Sequence, residues 1–145
     1  MDGFLGTEAE LWSDISLITT IVLGFIAAYG GIQARKKRFS KHCPIMAVAA
    51  FLNWIPVLVV MIPTWIEILQ GGENFITGAF SNVPIFHGIL GGITQLLMTY
   101  TVIRMYWIED LPPKKPIWFM RTTIFLWILT VLGGIGVYAL AFVVV

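Results

Sequence analysis

Four long apolar runs decide what this chain can fold into. They lie at about residues 15–33, 44–67, 84–107 and 117–143, and each reaches the roughly 20 residues that a helix needs to cross a hydrocarbon core of about 30 Å. The composition agrees. Of 145 residues, 58 % are hydrophobic and 12 % charged, against about half and about a quarter in soluble domains, and the mean hydropathy is +0.87. In lipid an unpaired backbone amide costs several kcal/mol, so each run must be helical. The segments between them, "QARKKRFSKHC", "LQGGENFITGAFSN" and "IEDLPPKKP", are broken by Gly, Asn, Pro and charge, and none is long enough to be a domain. The expected fold is therefore all-α: one integral membrane domain over residues 1–145, built as an antiparallel up-down four-helix bundle.

Charge orients the bundle. All nine basic residues, Arg35, Lys36, Lys37, Arg38, Lys41, Arg104, Lys114, Lys115 and Arg121, fall on the side of the first and third loops. Six of the eight acids, Asp2, Glu8, Glu10, Asp14, Glu67 and Glu73, fall on the other. The positive-inside rule then places the basic loops in the cytoplasm and both termini outside, in a multi-pass protein of the cell membrane. The N-terminus lacks the basic region of a cleavable signal, so the first span is expected to remain as an anchor. Trp12 and Trp65 sit at the outer boundary and Trp107 and Trp118 at the inner one, as in an aromatic belt.

At about 100° per residue, small and polar residues collect on one stripe of each span. The stripes are Thr20, Gly24, Ala27 and Gly31; Met46, Ala49, Asn53, Pro56 and Glu67; His87, Gly91, Thr94, Met98 and Thr101; and Thr123, Trp127, Thr130, Gly134 and Tyr138. Such stripes face neighbouring helices, because small residues let backbones approach and polar ones find partners there. Asn53 and Gln95 both fall near the membrane midplane, where an interhelical amide contact is expected. Pro44 reads as the start of the second helix, and Pro56 and Pro63 as kinks in it.

The chain has one cysteine, Cys43, and two histidines. That excludes an intrachain disulfide and any thiol cluster for a metal. No nucleophile with a base, phosphate-binding loop, zinc spacing or nucleic-acid surface is present, so an enzyme with its own covalent chemistry is not expected. Topology places His42 at the inner end of the second span and His87 near the outer end of the third, so one haem in one chain cannot take both. His87 shares its depth with Glu67. That pair is the leading metal or proton site by residue type, with a mutually satisfied structural pair as its bland counterpart. Arg104 and Arg121 lie near the inner boundary, suited to snorkelling or to clasping a carboxylate.

The cytoplasmic "HCPIM", the third span "HGILGGITQLLMTYTVIR" and the fourth "RTTIFLWILTVLGGIGVY" resemble the CtaM-like family of small four-helix membrane proteins linked to haem-copper oxidase assembly. The resemblance covers about residues 38–142. Arg121, Trp127, Gly134 and Tyr138 fit the steps at which Arg, Trp, Gly and Tyr recur in that family's last helix, and His42 and His87 fit two of its four histidines. The other two positions fall near Thr64 to Glu67 and near Lys115 and Pro116. Neither of those positions holds a histidine here, so what the resemblance leaves in place of a two-histidine site is a mixed-ligand one, such as His87 with Glu67 or Met61, or His42 with Met46, Met105 or Met120.

The leading expectation is a non-enzymatic accessory protein of the respiratory chain. It would partner a haem-copper oxidase or another respiratory complex and bind or hand over haem b or copper, at His87 and Glu67 outside and His42 inside. Trp127, Tyr138, Arg104 and Arg121 are the further candidates around such a group. Two other readings stand beside it. One is a small electron carrier that binds haem or quinone, using a histidine and the Trp54, Trp127 and Tyr138 rings; the other is a structural subunit of a larger complex. A homo-oligomer would bring two copies of one histidine together across a symmetry axis.

Overall fold

A computed structural model describes residues 4–7, 9–70, 82–107 and 116–143. Among them are four helices long and apolar enough to cross a membrane: α1 Leu11–Arg35, α2 Phe39–Leu69, α3 Val83–Tyr106 and α4, the last spanning Pro116–Phe142. Each helix packs on its neighbours in sequence, and α4 packs back on α1, so the up-down bundle closes into a ring. Large apolar side chains cover its outside; Phe25, Phe86, Leu96, Phe125 and Leu132 are all exposed. An apolar surface of that extent belongs in a bilayer. The chain is a multi-pass helical membrane protein.

The helices start earlier than the apolar runs imply. α1 begins at Leu11, ahead of the apolar run, because Asp14 is buried with hydrogen-bond partners. α2 begins at Phe39, so Pro44 lies inside the helix rather than opening it. The turn from α1 to α2 takes only three residues. The Lys37 amide donates to the Ala34 carbonyl and the Arg38 amide to Gln33, both at 2.9 Å, with Lys37 at φ +56°. This is a Schellman closure with lysine in the left-handed position that glycine usually fills.

The tight turn brings α1 and α2 together at the basic end. A Cβ on Gly30 would lie 2.8 Å from Met46 Sδ and 3.1 Å from Ile45 Cγ2, a closeness only glycine allows here. Leu23 and Ala27 of α1, Ala49 and Ala50 of α2, Met98 and Val102 of α3 and Trp127 of α4 form the core beside this contact. The close approach on α1 is therefore at Gly30 rather than Gly31, about which a Cβ would meet nothing.

Farther along, α2 changes character. It is α-helical to Leu52, makes a short turn at Trp54–Pro56, runs as a π-helix over Val57–Met61 and is α-helical again over Ile62–Leu69. Pro56 and Pro63 flank the wide stretch. Pro63 lacks an N–H and presses its ring on the carbonyl four residues back, that of Val59 inside this stretch, and widening the helix there relieves the conflict. The last part of α2 leans on α3, where a Cβ on Gly88 would lie 2.5 Å from Trp65 Cδ1.

Candidate functional site

α1 and α2 touch closely near their turn and little near the other end of α1, and the separation leaves a cavity of about 390 Å³ between the four helices. Its lining is mostly apolar, but four of its polar residues each hold a buried atom that makes no hydrogen bond among the described residues. These atoms are Thr20 Oγ1 on α1, Asn53 Oδ1 and Trp65 Nε1 on α2, and His87 Nδ1 on α3. An unpaired buried polar group costs about 1–3 kcal/mol unless something satisfies it.

The neighbouring polar groups are, by contrast, already paired. Asn53 Nδ2 donates to Gln95 Oε1 at 2.7 Å, and Gln95 Nε2 donates to the Ala50 carbonyl at 3.0 Å. These bonds fix the Asn53 amide with its oxygen turned away from Gln95. Trp54 Nε1 donates to Thr99 Oγ1 at 3.0 Å. Trp127 is buried at the cavity wall, and the Thr94 and Thr130 hydroxyls meet at 3.2 Å.

Glycines position His87. A Cβ on Gly133 would lie 3.1 Å from its Nδ1, and one on Gly134 would lie 3.4 Å from its Cε1, so the paired glycines of α4 form the seat of the ring. The spacing of small residues in α4 identified Gly134; Gly133, on the adjacent face, shares the seat.

One end of the cavity is tied by a cluster that the sequence reading missed. Asp14 has no exposed surface. Its Oδ2 accepts the Phe4 and Leu5 amides at 2.8 and 2.9 Å, and its Oδ1 accepts the Tyr138 hydroxyl at 2.5 Å. The phenol's one hydrogen is spent on the carboxylate, so Thr7 Oγ1 donates to the Tyr138 oxygen at 2.7 Å. The segment before α1 is thus folded over the junction of α1 and α4, beside the Tyr138 that lines the cavity. An acid four residues into a membrane helix was the available signal.

The other expected residues are spread more widely. Glu67, expected beside His87, is exposed, and among the described residues no hydrogen bond or ion pair joins the two. The π-helical stretch explains the displacement. It rotates less per residue than an α-helix, so a face carried forward from Asn53 slips before reaching Glu67. Arg104 lies 17 positions beyond His87 on α3, about 25 Å along the axis, and does not line the cavity. Arg121 is exposed at the start of α4, with its guanidinium 6.0 Å from the Trp118 ring centre. His42 is buried at the basic end and contacts Gly30, well away from His87.

Haem would find one axial nitrogen in the cavity, on His87, but no Arg or Lys among the lining residues to meet its propionates. Among the described residues, no three of His, Cys, Asp and Glu converge. The donors in the cavity fit a neutral head group better than an ion or a dianionic macrocycle. Fold and site together define the class: a multi-pass helical membrane protein with an apolar, hydrogen-bonding interior cavity. No family model, curated protein or solved structure matches the chain.

Proposed function

We propose that this protein is a non-enzymatic membrane accessory protein of a respiratory chain that holds a neutral, largely apolar molecule with a hydrogen-bonding head, of the quinone type, between its helices. One observation carries the reading: four residues that line one apolar cavity each carry a buried polar atom with no hydrogen-bond partner among the described residues. Trp65 Nε1 can only donate, Asn53 Oδ1 can only accept, and His87 Nδ1 does either according to its tautomer. A quinone carbonyl and a quinol hydroxyl are the two complements of that set. Ligand sites of this build, apolar walls with a few fixed polar groups, are typical of small-molecule cavities.

The respiratory setting rests on the resemblance of residues 38–142 to the oxidase-assembly family, and the partner is accordingly a haem-copper oxidase or another respiratory complex. The orientation, with both termini outside, rests on the collection of all nine Lys and Arg at one end. A second reading, haem carried on His87, is favoured by that ring's unpartnered nitrogen.

Titrating the detergent-purified protein with a short-chain ubiquinone, with tryptophan emission as readout, tests the proposal. Trp54, Trp65 and Trp127 all line the cavity, so saturable quenching is expected. Gly91→Leu, which sends a side chain into the cavity, abolishes it. Linear, unsaturable quenching that is the same in both proteins refutes quinone binding. A Soret band that disappears in His87→Ala would replace it with the haem reading.

A further inference from the structure

A second, much smaller cavity of about 30 Å³ lies at the basic end of the bundle, lined by His42, Met46, Met98, Met105 and Met120. Four of the chain's six methionines thus border one small cavity from three helices, beside a buried histidine. Met46 stands one turn after His42 on α2, Met98 and Met105 share a face of α3, and Met120 is in the first turns of α4.

The His42 ring is already oriented. Its Nδ1 lies 2.9 Å from the Gly30 carbonyl oxygen. A carbonyl only accepts, so Nδ1 carries the hydrogen and Nε2 carries the free lone pair. A ring nitrogen tied to a backbone carbonyl, with the other left basic, is the usual arrangement of a metal-binding histidine. The remaining polar groups of the lining are hydroxyls already committed to their own helices: Thr101 Oγ1 donates to Leu97 O at 2.7 Å and Thr123 Oγ1 to Phe119 O at 2.9 Å.

We infer that His42 Nε2 and the thioethers of Met46, Met98, Met105 and Met120 form a binding site for a single Cu(I) ion. Thioether sulfur is soft and neutral, imidazole is borderline, and no carboxylate or thiolate lines the cavity, which disfavours calcium, magnesium and zinc and suits monovalent copper. The space admits an ion and no organic ligand. Met105 and Met120 are half-buried near helix ends, which leaves an ion a way in. This site goes beyond the quinone cavity and stands independently of it, with no residue in common.

The alternative is that the methionines merely fill space, as flexible thioethers often do. Met→Leu exchange separates the two, since it keeps volume and apolarity while removing the donor. The protein, purified in detergent, is titrated without oxygen against a coloured Cu(I) chelator. The wild type is expected to withdraw one Cu(I) per chain, unaffected by a tenfold excess of Zn²⁺. Loss of even an outer-shell partner lowers metal affinity about 10–100-fold, so Met98→Leu/Met105→Leu and His42→Leu should each weaken binding at least tenfold. If His42→Leu proves misfolded by circular dichroism, the methionine pair alone decides. Failure of the wild type to withdraw copper, or equal affinity in the methionine variant, overturns the site.

Discussion

Replacing Gln95 by leucine should destabilise the bundle more than replacing Asn53, although the two side chains share a hydrogen bond. Gln95 makes two interhelical bonds, accepting from Asn53 Nδ2 and donating to the Ala50 carbonyl. Such bonds average about 0.6 kcal/mol in membrane proteins and reach about 1.7, so Gln95→Leu should cost roughly 1–3 kcal/mol, with little added for volume. Asn53→Leu loses one bond, but it also removes an Oδ1 that has no partner among the described residues. Removing an unsatisfied buried acceptor recovers about 1–3 kcal/mol, which roughly cancels the cost of leaving Gln95 Oε1 without its donor, so the net cost should be near that of the lost bond, about 0.6–1.7 kcal/mol, and below that of Gln95→Leu. The double variant should then show a coupling of about 0.6–1.7 kcal/mol between the sites. Reversible unfolding in mixed micelles, followed by tryptophan fluorescence, measures all three. Additivity within about 0.3 kcal/mol, or a larger cost for Asn53→Leu than for Gln95→Leu, would refute the reasoning.

Three further outcomes are expected. Gly88→Ala puts a methyl 2.5 Å from Trp65 Cδ1 and should cost about 1–3 kcal/mol by overpacking, whereas Gly92→Ala, with nothing within 4 Å, should be near neutral by the same unfolding assay. Asp14→Ala removes the acceptor of the Phe4 and Leu5 amides; hydrogen exchange at those amides should accelerate while the amides in the middle of α1 stay protected, and unchanged exchange at both would contradict the capping role. Lys37→Gly relieves a left-handed lysine and should raise stability by about 0.5 kcal/mol, the strain relieved being partly offset by glycine's greater chain entropy; a lower unfolding midpoint would be the contrary result.

The spans were legible because lipid allows an apolar run of this length only one backbone solution. The inward faces of α1, α3 and α4 were legible where the helix period is undisturbed, as at Thr20, Ala27, Thr94, Met98 and Trp127, and so was the contact between Asn53 and Gln95. What failed did so for local reasons. The first run reads as beginning at about residue 15, just past Asp14, because a lone acid carries no sign of the amides and phenol that satisfy it. Glu67 was assigned to the interior by extending an α-helical period through a stretch that is π-helical. His87 stood out as one of two histidines, but its seat on Gly133 and Gly134 and the cavity beside it depend on the course of α2, which prolines perturb without specifying. The soft-donor cluster was half visible: Met46, Met105 and Met120 were associated with His42 by resemblance, and only packing added Met98 and the orienting Gly30 carbonyl.

If the cavity between the helices holds a neutral amphiphile, the protein should carry it out of the membrane. Protein purified in mild detergent would be extracted with organic solvent, and isoprenoid quinone and haem would be quantified per chain for the wild type and for Gly91→Leu. Close to one quinone per wild-type chain is expected, with none in the variant and no stoichiometric haem in either. Equal quinone in the two proteins, or haem in place of quinone, would contradict it.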